Sequence, residues 1–193
     1  MKFTISREAL LKPLQLVAGV VERRQTLPVL SNILLVVEGN QLSMTGTDLE
    51  VEMIGRIQLE QSAEPGSITV PAKKLMDICK SLPEGADVEL TLTGQKVMIK
   101  GGRSRFTLTT LPASEFPNVE DDPETLDITI SQGALKRLID RTSFAMAQQD
   151  VRYYLNGMLL ELTATQLRTV ATDGHRLATS IYQVDSEIAE KIQ

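Results

Sequence analysis

Asp173 and His175 stand two residues apart in the run Ala171-Thr172-Asp173-Gly174-His175-Arg176. A carboxylate that orients an imidazole is the basis of general acid–base chemistry. The pair therefore opens one reading, a small hydrolase. His175 is the single histidine of the chain. The same Thr-Asp dipeptide recurs 125 residues earlier as Thr47-Asp48, with Glu50 where the histidine stands. A structural task for the Thr-Asp pair accounts for more than proton transfer does. The sequence has no Walker loop, no Gly-rich dinucleotide fingerprint and no metal-ligand cluster. No catalytic residue, metal or cofactor is expected.

Phosphate chemistry is the other candidate. Three helical segments carry Arg7, Lys12, Lys73, Lys74, Lys80, Lys136, Arg137 and Arg141 against Glu8, Asp77 and Asp140, a net +5 in a chain whose total is −5. Surface helices commonly mix charges, and that is the plain reading. The sharper reading is one surface facing a polyanion, which needs distributed Lys and Arg and no base-reading constellation. Acid elsewhere would keep nucleic acid off the outside. Two loops add to this. Arg23-Arg24-Gln25 falls one repeat before Gln148-Gln149-Asp150. Arg24 and Gln149 are thus equivalent, and both can donate to phosphate. Tyr153 and Tyr154 follow, able to stack on bases or simply to sit half-buried beside a polar turn.

The elements that must position these residues repeat. Residues 3–53 align without a gap onto 128–178, with twelve identities in 51 pairs, including Thr4/Thr129, Ser6/Ser131, Leu35/Leu160 and Asp48/Asp173. Such self-similarity sets the architecture. A shorter period lies inside it: Phe3-Thr4-Ile5-Ser6 recurs as Ile68-Thr69-Val70-Pro71 and as Ile128-Thr129-Ile130-Ser131. Three β-prone lead runs, each followed by a helical pattern and a hairpin, spell three modules.

In module one a strand is expected at 2–5, then a helix to about Val21, N-capped by Ser6 and kinked or broken at Pro13. A hairpin over 33–37 and 41–45 turns at Gly39, and a third strand runs over 49–59. Module two has a helix at 72–82 and alternating apolar strands. Module three repeats module one, with a helix at 131–146 burying Leu135, Leu138, Ile139 and Thr142, and a hairpin over 158–162 and 167–171. Half-buried antiparallel strands with helices on one face are α+β.

At 193 residues and 42% hydrophobic content the chain reads as soluble and globular. No signal peptide or membrane-length apolar run is seen. The single cysteine, Cys79, lies on an apolar helical stripe and suits a reducing cytosol. Segment 112–124 holds three prolines and five acids, a linker composition. The expected division is a first domain of two modules over 1–119, a linker over 120–126, and a second domain of one module over 127–193.

Leu27-Pro28-Val29-Leu30, the run LSMTGTDL from Leu42, GRSRF from Gly102, QDVRYYLNGM from Gln149 and VATDGHRLA from Val170 closely resemble the bacterial sliding-clamp family, the β subunits of DNA polymerase III. The likeness covers almost the whole chain and fades after Thr179. It implies repeated β-α-β-β-β modules, paired into three similar domains per subunit. It implies a head-to-tail homodimer ring around duplex DNA, lined by helices, loaded by a clamp loader that uses ATP. The role implied is non-catalytic: a processivity factor of the cytoplasmic DNA polymerase III holoenzyme that slides without sequence preference.

By matching position, Arg24, Lys73, Gln149, Tyr153 and Tyr154 are similar to DNA-contacting residues. Arg152, Tyr154, Leu155, Thr172, Gly174, His175, Arg176 and Leu177 are similar to the nearer half of a pocket for short linear motifs of polymerases and loader. Lys74, Ile78, Phe106 and Leu108 resemble one side of the subunit interface. The chain departs from the family in length, ending partway through the second domain, which puts ring closure and a complete peptide pocket in doubt. A peptide-motif module that never encircles DNA is the competing reading.

Overall fold

A computed structural model of the chain describes residues 1–21, 27–117 and 128–184. It divides into two compact units, Met1–Glu120 and Asp121–Gln193. Both pack short helices on antiparallel sheets, the α+β architecture expected. The linker expected at 120–126 lies outside the described residues.

In the first unit, strand β1 (Lys2–Ser6) runs into helix α1 (Arg7–Val17). Ser6 Oγ accepts the Ala9 N–H at 3.3 Å and so satisfies one of the orphan donors of the first turn. Leu10, Leu14 and Val17 are buried at helical spacing. The helix runs unbroken through Pro13, with Leu10 and Leu14 buried on either side. One expectation is corrected here: the helix stops four residues short of Val21, where the Ala18 and Gly19 N–H groups bond back to Leu14 O and Leu16 O in tightening turns.

Strands β2 (Asn32–Glu38), β3 (Gln41–Thr47) and β4 (Glu52–Gln58) follow. The last begins three residues later than expected, because Asp48 gathers the N–H groups of Glu50 and Val51 into a turn. Module two supplies β5 (Gly66–Pro71), α2 (Ala72–Ser81), β6 (Asp87–Thr93), β7 (Lys96–Gly101) and β8 (Ser104–Thr109).

The two modules exchange their lead strands. One sheet runs β1-β6-β7-β8 and the other β4-β3-β2-β5. The first strand of each module thus closes the sheet of the other, and every pairing is antiparallel. One continuous core results, filled by Phe3, Leu14, Leu35, Val70, Leu75 and Leu90 among others. Asn32 Nδ2 donates to Thr69 Oγ1 at 2.8 Å inside this seam, so its one buried amide has a partner.

The second unit holds α3 (Gln132–Thr142), β9 (Leu159–Leu162), β10 (Gln166–Thr172) and β11 (Leu177–Gln183). Ser131 caps α3 through Ala134 as Ser6 caps α1. The sheet has three strands, ordered β11-β10-β9. The strand expected at 128–131 is not formed. In the first unit each such run pairs with the sheet of the other module, and the second unit contains one module among the described residues. Helix α3 ends at Thr142 rather than Met146, where the Thr142 hydroxyl bonds back to Leu138 O at 2.8 Å and a short 3-10 turn takes over. Ile139, expected inside, is 42% exposed, whereas its counterpart Leu14 is 0% exposed.

Candidate functional site

The repeated Thr-Asp pair builds the same turn twice. In module one the Thr47 hydroxyl donates to Val51 O, the Leu49 N–H donates to Thr47 Oγ1, and the Glu50 and Val51 N–H groups donate to Asp48 Oδ1. In module three Thr172 donates to Arg176 O, Gly174 donates to Thr172 Oγ1, and the His175 and Arg176 N–H groups donate to Asp173 Oδ1. The residue at the bend has a left-handed backbone in both, Leu49 at φ 79° and Gly174 at φ 88°. Asp173 meets His175 through its backbone N–H, not its imidazole, and its second oxygen takes Arg176 Nε at 2.9 Å. The carboxylate is a turn builder. The N–H groups of Arg176 and His175, then the guanidinium, hold it down at about 2.

A second loop faces this turn. It leaves α3 and is stapled at its base, where the Ala147 N–H donates to Leu155 O at 2.9 Å. Asn156 clamps it from both sides, accepting from the Asp150 N–H and donating to Asp150 O. Asp150 in turn fixes Arg152 with a two-pronged contact at 3.0 and 2.9 Å. That guanidinium, then the Arg152 N–H, draws the Asp150 carboxyl down to about 2. Gly174 sits against Arg152: a Cβ there would lie 3.4 Å from the guanidinium. Between loop and turn lies a concavity of about 550 Å³. Phe144, Met146 and Ala147 give it an apolar patch, and Arg152, His175 and Arg176 a cationic rim. Arg176 stacks 5.6 Å from the Phe144 ring centroid, within cation–π range.

Of the pocket residues expected, Arg152, His175 and Arg176 line this concavity. Thr172 and Gly174 belong to the turn that carries them, and Leu155 is half-buried at the loop base. Tyr154 and Leu177 are exposed nearby in sequence, at 67% and 66%. Gln149, taken above as a phosphate donor, also lines the concavity, in a left-handed conformation with φ 57°. Sequence reasoning missed Phe144, Met146 and Asp150. Phe144 falls off the stripe of Leu138, Thr142 and Ala145, and an apolar residue off a buried stripe is the signal that could have found it.

The basic helices are open. Lys12, Lys73, Lys74, Lys80, Arg137 and Arg141 are exposed and enter no ion pair among the described residues. Arg7 is spent internally, donating through Nε to Cys79 O at 2.9 Å and tying α1 to α2. Burial pushes the Cys79 thiol up to about 11, which leaves it inert. Tyr153 and Tyr154 stand edge to face, 6.0 Å apart and largely exposed. Arg24 lies outside the described residues. Of the expected interface residues, Lys74 is exposed, Phe106 half-buried, and Ile78 and Leu108 are buried in the first unit's core. Phe106 and Leu108 lie on β8, an end strand of its sheet.

Repeated modules with these sheets and helices form the sliding-clamp fold. The family description "DNA polymerase III beta subunit, N-terminal domain" matches residues 1–120, and "DNA polymerase III beta subunit, central domain" matches residues 129–193. The chain belongs to the DNA polymerase III β-subunit family. It is 72% identical to the beta sliding clamp of Pseudomonas aeruginosa over 178 residues, 92% of this chain and 48% of that protein. It is 57% identical to the beta sliding clamp of Escherichia coli K12, again over 92% of this chain and 49% of that protein. The crystal structure of the DNA polymerase III subunit beta from P. aeruginosa superposes with a TM-score of 0.91 at 69% identity, covering 97% of this chain and 50% of that one. The chain thus spans about half the length of the relatives it matches.

Proposed function

We propose that the chain acts as the N-terminal part of a processivity factor, which encircles duplex DNA and tethers the replicative polymerase without catalysis of its own. In this reading residues 1–119 and 127–193 are a first clamp domain and one module of a second. The observation that carries it is the set of six cations exposed on α1, α2 and α3, which enter no ion pair among the described residues. Phosphate contacts of this kind hold DNA and permit sliding. Lys73, Gln149, Tyr153 and Tyr154 would join them, with Arg24. The concavity rimmed by Arg152, His175 and Arg176, with Tyr154, Leu155 and Leu177, would take part of a short linear motif from polymerase or loader. The β8 edge, which carries Phe106 and Leu108, would extend its sheet into a second subunit of a ring, and Lys74 and Ile78 of α2 would belong to the same interface. A cytoplasmic setting follows from this role.

Fluorescence anisotropy with two unrelated duplexes tests the reading. Binding is expected to be weak and equal within about twofold for both sequences. Arg24→Ala with Gln149→Ala weakens both alike, and Lys73→Ala lowers the salt slope by about one. A marked preference for one duplex contradicts the proposal. Peptide binding without any DNA contact favours the module that never encircles DNA.

A further inference from the structure

The two elements that build the concavity of the second unit occur in the first unit as well, and there they build a cleft of different chemistry. The short 3-10 turn Pro28–Ser31 lies one repeat before Tyr153–Asn156, and the Thr47-Asp48 turn lies one repeat before Thr172-Asp173. Residues of both line an open cleft of about 400 Å³, a size that suits a small ligand or a few side chains. Leu27, Val29, Leu49 and Leu111 form its apolar wall, and Glu115 is the one charged residue among the described residues that line it. Its floor is held in place. Val29, Leu30 and Phe116 are buried together against Leu34 and Leu111. Leu111 O accepts from both the N–H and the hydroxyl of Thr69, at 3.2 and 2.9 Å. All of these residues belong to the first unit.

Charge is inverted between the two sites. Arg152, His175 and Arg176, the cationic rim of the second unit, correspond by the repeat offset to Leu27, Glu50 and Val51. Glu50 and Glu115 are exposed and enter no ion pair among the described residues. At the bend, Gly174 corresponds to Leu49, and Leu49 bears two costs at once. It holds φ 79°, a region where a branched side chain is strained, and its apolar side chain is 58% exposed. Glycine or asparagine would make the same turn at lower cost. A residue that departs from the local rule and also leaves apolar surface in water marks a functional position.

We infer that this cleft docks a short, extended peptide segment that carries apolar side chains next to a lysine or arginine. Leu27, Leu49 and Leu111 take the apolar side chains out of water. Glu115 and Glu50 attract the cation. Charge selects the occupant: the same acids repel an acidic segment, which the cationic rim of the second unit attracts. The two clefts of one chain thereby sort peptides by sign. That last contrast alone rests on the reading of the second unit's concavity as a peptide site.

Fluorescence anisotropy with the full 193-residue chain tests it. The probe is a labelled hexapeptide of leucine, valine, leucine and phenylalanine between terminal lysines, and its twin carries glutamates at the ends. The lysine peptide is expected to bind saturably. Leu49→Asn, which relieves the bend, weakens that binding by about tenfold while it raises the melting temperature. A merely structural role for Leu49 would not move the two readouts in opposite directions. Glu115→Lys weakens the lysine peptide by about threefold or more. Leu49 and Glu115 are both exposed, and circular dichroism checks that the variants stay folded. Excess unlabelled glutamate peptide leaves the lysine peptide bound. No saturable binding of the lysine peptide, indifference to Leu49→Asn or to Glu115→Lys, or displacement by the glutamate peptide overturns the proposal. A glutamate peptide that binds nowhere on the chain contradicts the peptide reading of the second unit and leaves this one standing.

Discussion

Leu35 and Leu160 hold the same place in two copies of one module, yet the first is sealed at 0% exposure and the second is open at 55%. The local sequence is similar in both, and so is the local structure: a serine-capped helix, a hairpin and a Thr-Asp turn. What differs is the neighbour. In the first unit β5 of module two lies along β2 and helix α2 packs on α1. In the second unit none of the described residues does either job. A clamp module therefore specifies its hairpin and its turn by itself, while the burial of its outer face is supplied by another module.

Truncation at the equivalent pair breaks the comparison most directly. Leu35→Ala is expected to cost the first unit about 3 kcal/mol in urea unfolding, from lost burial and the cavity left behind. Leu160→Ala in dilute, monomeric chain costs less than about 0.5 kcal/mol, as surface changes do. Similar losses at both sites would contradict the reading of β9 as an open edge.

A smaller effect separates Gly46 from its counterpart Ala171. A Cβ on Gly46 would lie 2.7 Å from the backbone oxygen of Val17. Gly46→Ala must therefore push α1 off β3, at about 2 kcal/mol. Ala171 already carries that methyl at 2% exposure, so the second unit accommodates a side chain at the equivalent position. Ala171→Gly is expected to cost about 1 kcal/mol or less.

The smallest effect concerns the bend of the two turns. Gly174 adopts φ 88° freely, while Leu49 holds φ 79° against its own Cβ. Leu49→Asn is expected to raise stability by about 0.5 kcal/mol, since Asn tolerates this region. Gly174→Leu is expected to lower it by about 1 kcal/mol and to displace Arg152. Differential scanning of single variants resolves both signs.

Local features were legible in the sequence and long-range ones were not. Ser6 and Ser131 announced their helices, alternating valines and leucines announced the hairpins, and recurrence of Thr-Asp beside Glu50 and His175 pointed to a structural task, although the turn it builds was read as the start of a strand. The strand exchange was hidden, because a β-prone run such as Ile68-Thr69-Val70 looks alike whichever sheet receives it. For the same reason residues 128–130 read as strand, although pairing needs a partner edge. The helix was read through Pro13 with a kink or local break allowed, because propensity alone ignores the packing of Leu10 and Leu14. At the site, Arg152, His175 and Arg176 were reached through the resemblance. Asp150 was passed over although it holds Arg152, since a side-chain contact two residues away leaves no periodic trace.

Native-state hydrogen exchange at a concentration low enough to keep the chain monomeric tests the central claim most directly. Strand β2 is bonded on both sides and, among the described residues, β9 on one. The account predicts strong protection for every amide of β2 and of residues 68–70. It predicts protection in β9 only for amides that face β10, and little at residues 128–130. Equal, strong protection across β2, β9 and both lead runs in the monomer would contradict it.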